Sequence, residues 1–257
     1  MRRALIVSAF ALAACGAQPA ATVTNQTTAA AAAPAASAPA VAPWFICDGV
    51  STPALFELER AGSVVRVAEY AKPSGAISNR SEFDLGEGDG AAGHVYHPFQ
   101  RDGQDAGFAR ETNPGVLEHQ GIAYTPVITE LKLGDRDVSC RWMPRTRLMG
   151  FTGRRSFVVT EDASGDLIYD AYAFADAANA KPVELSDNAN TTTFTLEVRD
   201  GHEQIAPDHT EYRFEHQGYT YVITANNNQT GTLAVLHGGQ QVQSEPITAF
   251  QTGNGPS

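Results

Sequence analysis

Apolar and polar residues alternate along most of the chain, and short polar turns separate the alternating runs. The runs 54–60 and 63–70 flank Ala61-Gly62, and the runs 155–160 and 167–174 flank a longer polar turn. Further runs follow at 191–199, 212–216, 219–225, 232–236 and 240–244. Alternation with a period of two indicates strands, and closely spaced turns join strands into antiparallel hairpins. The pattern therefore predicts a mostly β protein.

Turn residues strengthen this prediction. The dipeptides that separate the later runs are Asp200-Gly201, Gln217-Gly218 and Gly238-Gly239. Asp-Gly is among the strongest short hairpin signals, so we expect a reversal at residues 200 and 201. Two more short strands are expected within 95–99 and 122–133, and the best helical candidate, 171–180, is short. We predict antiparallel hairpins that form a β-sandwich or a barrel, as one domain or as two small subdomains divided near residue 148.

The first fifteen residues have the composition of an export signal. Arg2 and Arg3 precede an apolar run, 4–14, that is shorter than the roughly 20 residues of a membrane-spanning helix. The run ends in Leu12-Ala13-Ala14-Cys15, which resembles the lipobox of bacterial lipoproteins. This resemblance implies that residues 1–14 are cleaved and that Cys15 carries lipid on its sulfur and an acyl group on its new amino terminus. Two or more acyl chains would hold the protein stably in a membrane.

The alternative is an ordinary signal peptide. Ala9-Phe10-Ala11 and Ala11-Leu12-Ala13 also fit a small-x-small cleavage site, which would release a soluble protein. Under the lipobox interpretation, an aspartate directly after Cys15 would resemble an inner-membrane retention signal. That position holds Gly16. We therefore expect a bacterial envelope protein anchored in the outer membrane and facing the periplasm.

The segment after the signal has a different composition from the rest. Residues 15–43 are rich in Ala, Pro and Thr and carry no charge, so they cannot bury a core and are expected to act as a tether. Bulky residues first appear at Trp44. The expected folded domain is 44–250, followed by a flexible tail, 251–257.

Three cysteines bear on the same question. An exported protein with Cys15, Cys47 and Cys140 has one thiol left over unless Cys15 is lipidated. Lipidation leaves an even pair in an oxidising compartment, where a disulfide is expected. We predict a bond between Cys47 and Cys140, with two buried thiols as the alternative.

The net charge is strongly negative. Removal of Arg2 and Arg3 with the signal leaves 16 Lys and Arg against 29 Asp and Glu, a charge of −13. This disfavours binding to nucleic acid or anionic lipid and is compatible with a cationic partner. Plain solubility is the alternative explanation.

Familiar catalytic and metal motifs lack their context. Gly88-Asp89-Gly90-Ala91-Ala92-Gly93 matches a dinucleotide-binding pattern, but no helical stripe follows it, so we expect a surface loop. Ser186-Asp187-Asn188 stands without the other penicillin-binding motifs. The histidine groups 94 and 97, and 202, 209 and 216, have no recognised ligand spacing. We therefore expect neither a metal nor a cofactor.

A group of arginines stands out in this acidic chain. Its members lie within fifteen residues, beside Trp142, Phe151 and Phe157, and are Arg141, Arg145, Arg147, Arg154 and Arg155. Guanidinium groups bind carboxylates and phosphates and stack on aromatic rings, so we predict that these arginines dock an envelope polyanion. The alternative is internal pairing with Asp and Glu. Arg154 and Arg155 are adjacent, so only one of them can face a shared site.

These features favour a non-catalytic binding module, with a hydrolase of unrecognised active site as the alternative. An acidic, all-β lipoprotein with the early aromatic-x-Cys of Phe45-Ile46-Cys47 is similar to periplasmic lysozyme inhibitors, which are small disulfide-bonded β-barrels. That resemblance implies inhibition of a cationic enzyme such as lysozyme. The family's Ser-Gly-x-Arg/Lys-Tyr loop has no match, because the related segment reads Ser164-Gly165-Asp166-Leu167-Ile168-Tyr169.

Overall fold

Seventeen strands make up the part of the chain that the structure, a computed structural model, describes: residues 41–50, 52–117, 119–175 and 195–255. The predicted signal peptide, Cys15 and the tether up to residue 40 lie outside these residues, as does Ser186-Asp187-Asn188. The described residues belong to one compact unit. Among them no helix is long and apolar enough to cross a membrane.

The first nine strands form one antiparallel sheet, the sheet unit. They are β1 (Phe45–Asp48), β2 (Ala54–Ala61), β3 (Val64–Ala71), β4 (Ala76–Leu85), β5 (Asp89–Ala91), β6 (His94–Arg101), β7 (Gln104–Thr112), β8 (Ile128–Leu133) and β9 (Arg136–Ser139). The strand order is β1-β2-β3-β4-β6-β7-β8-β9, and β5 pairs only with β6. Two 3₁₀-helices, Pro114–Val116 and Gln120–Ile122, lie between β7 and β8.

This sheet curls until its first and last strands meet. Gly49, directly after β1, forms an isolated bridge with Cys140, directly after β9, and Val50 N–H donates to the Ser139 carbonyl. The predicted disulfide between Cys47 and Cys140 is confirmed and joins the same two strands, with Cα atoms 4.8 Å apart. The inner face holds a core that includes Phe56, Leu58, Val65, Phe99 and Leu131.

The last eight strands form a closed antiparallel barrel. They are β10 (Thr146–Thr152), β11 (Arg155–Glu161), β12 (Leu167–Ala173), β13 (Leu196–Ile205), β14 (His209–His216), β15 (Tyr219–Asn226), β16 (Gly231–His237) and β17 (Gln240–Thr252). Alternate side chains point inward and fill the interior, as in other eight-stranded barrels. Among the largest are Phe157, Tyr169, Phe214 and Ile223, all fully buried.

The predicted turn at Asp200-Gly201 is wrong. β13 continues through both residues, which form a bulge: Asp200 has φ of 60°, and the strand pairs with β12 up to Gly201 and with β14 from His202 onward. A Cβ at Gly201 would overlap the Phe214 ring, so glycine is required there. Asp-Gly readily adopts the left-handed backbone conformation that a hairpin turn requires. Here that conformation forms a bulge and bends the strand at a corner of the barrel.

The two parts pack against each other through their outer faces. Ile46, Leu55, Ala68 and Tyr70 of the sheet unit join a cluster of barrel residues, namely Met149, Phe151, Val158, Tyr172, Phe174 and Ala249. The Tyr70 and Phe151 rings meet edge to face with centroids 4.7 Å apart. The chain passes from sheet to barrel through residues 140–145.

The prediction of a mostly β, antiparallel fold is confirmed. Of the two predicted alternatives, a β-sandwich and a barrel, the structure contains a closed barrel beside the sheet unit. The hairpins predicted around Ala61-Gly62, 161–166, Gln217-Gly218 and Gly238-Gly239 are all present. The helical candidate 171–180 begins as the end of β12, and its residues from 176 lie outside the described part. The segment predicted as a tail starts at 251, but β17 runs to Thr252, and Gly253 N–H then donates to the Arg147 carbonyl.

Candidate functional site

A buried polar cluster joins the sheet unit to the barrel. Asp48, at the end of β1, accepts hydrogen bonds from Lys72, from Arg141 Nε at 2.9 Å and from Ser156 Oγ at 2.6 Å. We call these four residues the junction cluster. Every member is at most 8% exposed, and Ser156 lies 108 positions from Asp48 in the sequence. The cluster therefore ties together distant parts of the chain.

The cluster keeps Asp48 ionised. Burial alone would raise the pKa of its carboxyl, but the charges of Lys72 and Arg141 outweigh burial and lower the pKa to about 2. The Asp48 carboxylate, with two cationic partners and a hydroxyl donor, is fully paired, as a buried charge requires. Because solvent does not reach it, its role is to hold the two parts of the molecule together.

Arg141 extends this junction toward the barrel. Its guanidinium carbon lies 3.5 Å from the centroid of the Tyr172 ring, and its two terminal nitrogens have no hydrogen-bond partner among the described residues. Asp170 lies nearby at 3% exposure, and its Oδ1 likewise has no partner in the described part of the chain. Burial, and secondarily Glu197, raise the pKa of Asp170 to about 7, although Arg199 and Arg141 oppose the shift.

The five predicted anion-binding arginines differ in their surroundings. Three pair with carboxylates: Arg141 with Asp48, Arg155 Nη2 with Glu245 at 2.9 Å, and Arg147 with both Glu203 at 2.8 Å and Glu161 at 3.5 Å. The alternative of internal pairing describes these three. Arg154 is exposed and Arg145 is partly exposed, and the ion pairs between described residues include neither.

These arginines do not share one surface. Arg147 reaches Glu161 at the end of β11, whereas Arg155 begins that strand. Seven residues of strand at roughly 3.3 Å each separate the two ends by about 20 Å. Docking of a polyanion stays a prediction, with Arg154 as the exposed member that is free to take part in it.

The two histidines of β6 contact side chains of the neighbouring strand β7. His97 pairs with Glu111 at 2.9 Å, and His94 Nδ1 lies 3.2 Å from the Thr112 hydroxyl. The segment Gly88–Gly93 contains β5, which forms a hairpin with β6. Within the described residues, no three His, Cys, Asp or Glu side chains lie close enough together to hold a metal ion.

A groove crosses the outer face of β2, β3 and β4. Two cross-strand rows form it, one through Glu57, Ala68 and Arg80 and the next through Glu59, Arg66 and Glu82. The small Ala68 side chain leaves a cavity of about 280 Å³ between the charged walls. Groups of both signs therefore converge on one concavity of the sheet.

Glu57 is the most sheltered acid of the groove. The Tyr70 hydroxyl donates to its Oε2 at 2.8 Å, and burial raises the pKa of the carboxyl. On the opposite wall, Arg66 Nε donates to Glu82 Oε2 at 3.1 Å, with both side chains more than half exposed. The groove thus combines a fixed carboxylate with a solvated ion pair that can exchange partners.

The same strand β4 has an open side. It pairs with β3 along its length but with β6 only at Asp84 and Leu85. We call residues 76–83 the β4 edge, because they have no strand partner on that side within the described chain. Residues 76–80 are exposed, and Ile77 is 46% exposed.

Backbone alternation shows which groups the β4 edge offers. Gly86 N–H donates to the Pro98 carbonyl of β6 at 2.9 Å, so the backbone of Gly86 faces away from β3. Because the backbone groups of a strand alternate in direction, the N–H and C=O groups of Glu82 and Arg80 face the same side. At Arg80 no strand of the described chain pairs with that side.

Such an edge can accept another strand. Unpaired N–H and C=O groups are a template for a further extended segment, whose alternate side chains then lie along the same face of the sheet. Here that face carries the groove. Sequence reasoning missed this site, because an extra residue at Ser78 shifts the register and interrupts the alternation of β4.

The sequence matches no model of a known protein family and no functionally curated protein.

Proposed function

We propose that this protein is an exported, envelope-anchored binding module that captures an extended segment of a partner protein at the β4 edge. The lipobox-like Leu12-Ala13-Ala14-Cys15 supports the anchor. The Cys47–Cys140 disulfide agrees with an oxidising compartment, where such bonds persist. The outer membrane, with the folded part facing the periplasm, is the expected location.

The observation that carries the proposal is the coincidence of the β4 edge with the groove. The open backbone groups at Arg80 supply main-chain pairing, and Glu57, Arg66 and Glu82 supply side-chain selectivity beside it. Main-chain hydrogen bonds give affinity in strand addition, and pockets for alternate side chains give specificity. The edge is eight residues long, which sets the upper limit on the length of the paired segment.

A matched pair of variants tests the pairing. Arg80→Pro removes the outward N–H but leaves the β3 ladder intact, whereas Arg80→Ala removes only the side chain and retains that N–H. Heptapeptides selected by phage display on the purified protein serve as probes. Binding by titration calorimetry is expected to weaken at least tenfold for Arg80→Pro and less for Arg80→Ala, with equal thermal melts.

Amide hydrogen exchange adds a positional check. A bound peptide is expected to slow exchange of the Arg80 amide. Selected peptides that bind Arg80→Pro as tightly as the unmodified protein, or a library from which none is enriched, would contradict the proposal.

A cationic enzyme such as lysozyme is the second candidate partner. The net charge of −13 after signal removal favours a basic surface, and the groove presents Glu57, Glu59 and Glu82. Inhibition of cell-wall lysis by lysozyme is the measurement. Loss of inhibition is expected for the triple Glu→Gln variant of these residues, and no inhibition by the unmodified protein would exclude this partner.

A further inference from the structure

We propose that the barrel binds a neutral oligosaccharide at one end, where tight turns join β14 to β15 and β16 to β17. Two tight turns form this rim, Gln217-Gly218 and Gly238-Gly239, and all four residues have positive φ. Turns of this kind match the twist of the strands that they join, so the rim is rigid. A cavity of about 350 Å³ lies between the two turns.

An aromatic platform stands at this rim. Tyr219 and His237 are cross-strand neighbours whose rings stack with centroids 4.5 Å apart at an angle of 29°. Tyr219 nevertheless remains 40% exposed, one of the few large apolar side chains that face solvent. A rigid aromatic ring offers a large amphipathic contact surface at low entropic cost. The C–H face of a pyranose ring fits such a surface.

Polar side chains surround the platform. Glu215, His216, Gln217 and Thr220 line the cavity, and the glycines at positions 218, 238 and 239 complete its lining without side chains of their own. Planar carboxylate and amide groups can each bind two neighbouring hydroxyls, and a few convergent polar groups around an apolar surface are typical of small-molecule sites. Among these lining residues Glu215 is the one acid, so an anionic ligand is disfavoured, and the exposed Tyr219 ring with the Gln217 amide and Thr220 hydroxyl favours a neutral ligand that stacks and carries hydroxyl groups.

The barrel interior limits how deep a ligand can reach. Below the rim, Glu245 accepts from Arg155 at 2.9 Å and from the Thr152 hydroxyl at 2.5 Å, and Gln243 also donates to it. The fully buried Tyr169 lies next to this layer, above the apolar core. The ligand therefore binds at the rim, across Tyr219, rather than inside the barrel.

Titration of the full-length protein with three neutral tetrasaccharides, chitotetraose, cellotetraose and maltotetraose, tests the site. At least one is expected to bind with a dissociation constant in the millimolar range or below, as measured by ligand-observed NMR. Tyr219→Ala is expected to weaken that binding at least tenfold, because the stacking surface is lost. Tyr219→Phe retains the ring and should stay within about twofold.

Val242→Ala is the matched control, since Val242 is 59% exposed on β17, two strands from Tyr219, and does not line the cavity. Equal thermal melts of the three variants separate lost binding from lost folding. Absence of binding by all three sugars, or binding that survives Tyr219→Ala unchanged, would overturn the proposal. Because Arg80 lies in the sheet unit, the peptide-binding test at the β4 edge succeeds or fails independently.

Discussion

The sheet unit and the barrel solve the same closure problem in different ways. In the barrel, β10 pairs with β17 over five residue pairs, so hydrogen bonds complete the ring. In the sheet unit, a single bridge, Gly49 to Cys140, and a disulfide bring the two ends together. A complete ladder leaves no strand edge to offer. The unit with the weaker closure is the one that retains an open edge, at β4, for a partner.

Removal of the disulfide should lower the free energy of unfolding more than any other change discussed below. The loss should fall on the sheet unit and not on the barrel. The bond spans 93 positions, and a loop of that size contributes roughly 4 to 5 kcal/mol in the chain-entropy model. For Cys47→Ala/Cys140→Ala we expect a loss of about this size in the sheet unit. Both tryptophans, Trp44 and Trp142, lie in or beside that unit, so their fluorescence in denaturant reports its unfolding.

Hydrogen exchange of the barrel strands gives the contrast. The barrel contains no disulfide, so the double cysteine variant should leave its stability unchanged. Its amides are expected to stay protected at denaturant concentrations at which the tryptophan fluorescence already reports an unfolded sheet unit. Loss of barrel protection at the same denaturant concentration would show that the two parts unfold as one, and the contrast between them would then concern architecture alone.

Substitution of Asp48 should have the next largest effect on the free energy of unfolding. It should weaken the packing of the sheet unit against the barrel at the junction cluster. Asp48→Asn leaves Lys72 and Arg141 buried without their carboxylate, which typically costs about 3 to 5 kcal/mol. Urea denaturation measures it. The matched control is Asp137→Asn, because Asp137 makes only an exposed pair with Lys132, and a change within about 0.5 kcal/mol is expected there.

The sign of the pH dependence follows from the lowered pKa of Asp48. Its ordinary value is 3.8 and its folded value is about 2, so its stabilisation is present above about pH 4 and is lost as the pH falls toward 2. Asp48→Asn should remove that part of the acid transition. An unchanged acid limb in the variant would contradict the assignment.

Asp170 should show the opposite sign. Its pKa rises from 3.8 unfolded to about 7 folded, so the folded state binds the extra proton and stability falls as the pH rises from about 4 to 7. A shift of this size corresponds to at most about 4 kcal/mol. Asp170→Asn should flatten the stability profile in that window, as measured by thermal melts at several pH values. A profile that keeps its slope would contradict this.

The sequence and the structure agree where the deciding information is local. Turn residues and alternation predict most of the hairpins, and cysteine parity predicts the bond between Cys47 and Cys140. The junction cluster could not be predicted, because Asp48 and Ser156 meet only through the packing of two separately closed parts. Asp200-Gly201 shows the limit of local information, because the same backbone preference serves a turn and a bulge, and only the pairing partners distinguish them.

The smallest expected effect concerns the neighbours Arg154 and Arg155. Arg154 is exposed, so Arg154→Ala should change the free energy of unfolding by less than about 0.5 kcal/mol. Arg155→Ala leaves Glu245 without its cationic partner and should cost about 1 to 3 kcal/mol.

If a polyanion docks here, Arg154→Ala should also weaken binding to cell-wall sacculi or to phosphatidylglycerol vesicles, and added salt should weaken it further, because exposed charge pairs are screened. Phosphatidylcholine vesicles provide the uncharged comparison. Full binding by a protein that carries both Arg145→Gln and Arg154→Ala would leave all five arginines with structural roles only.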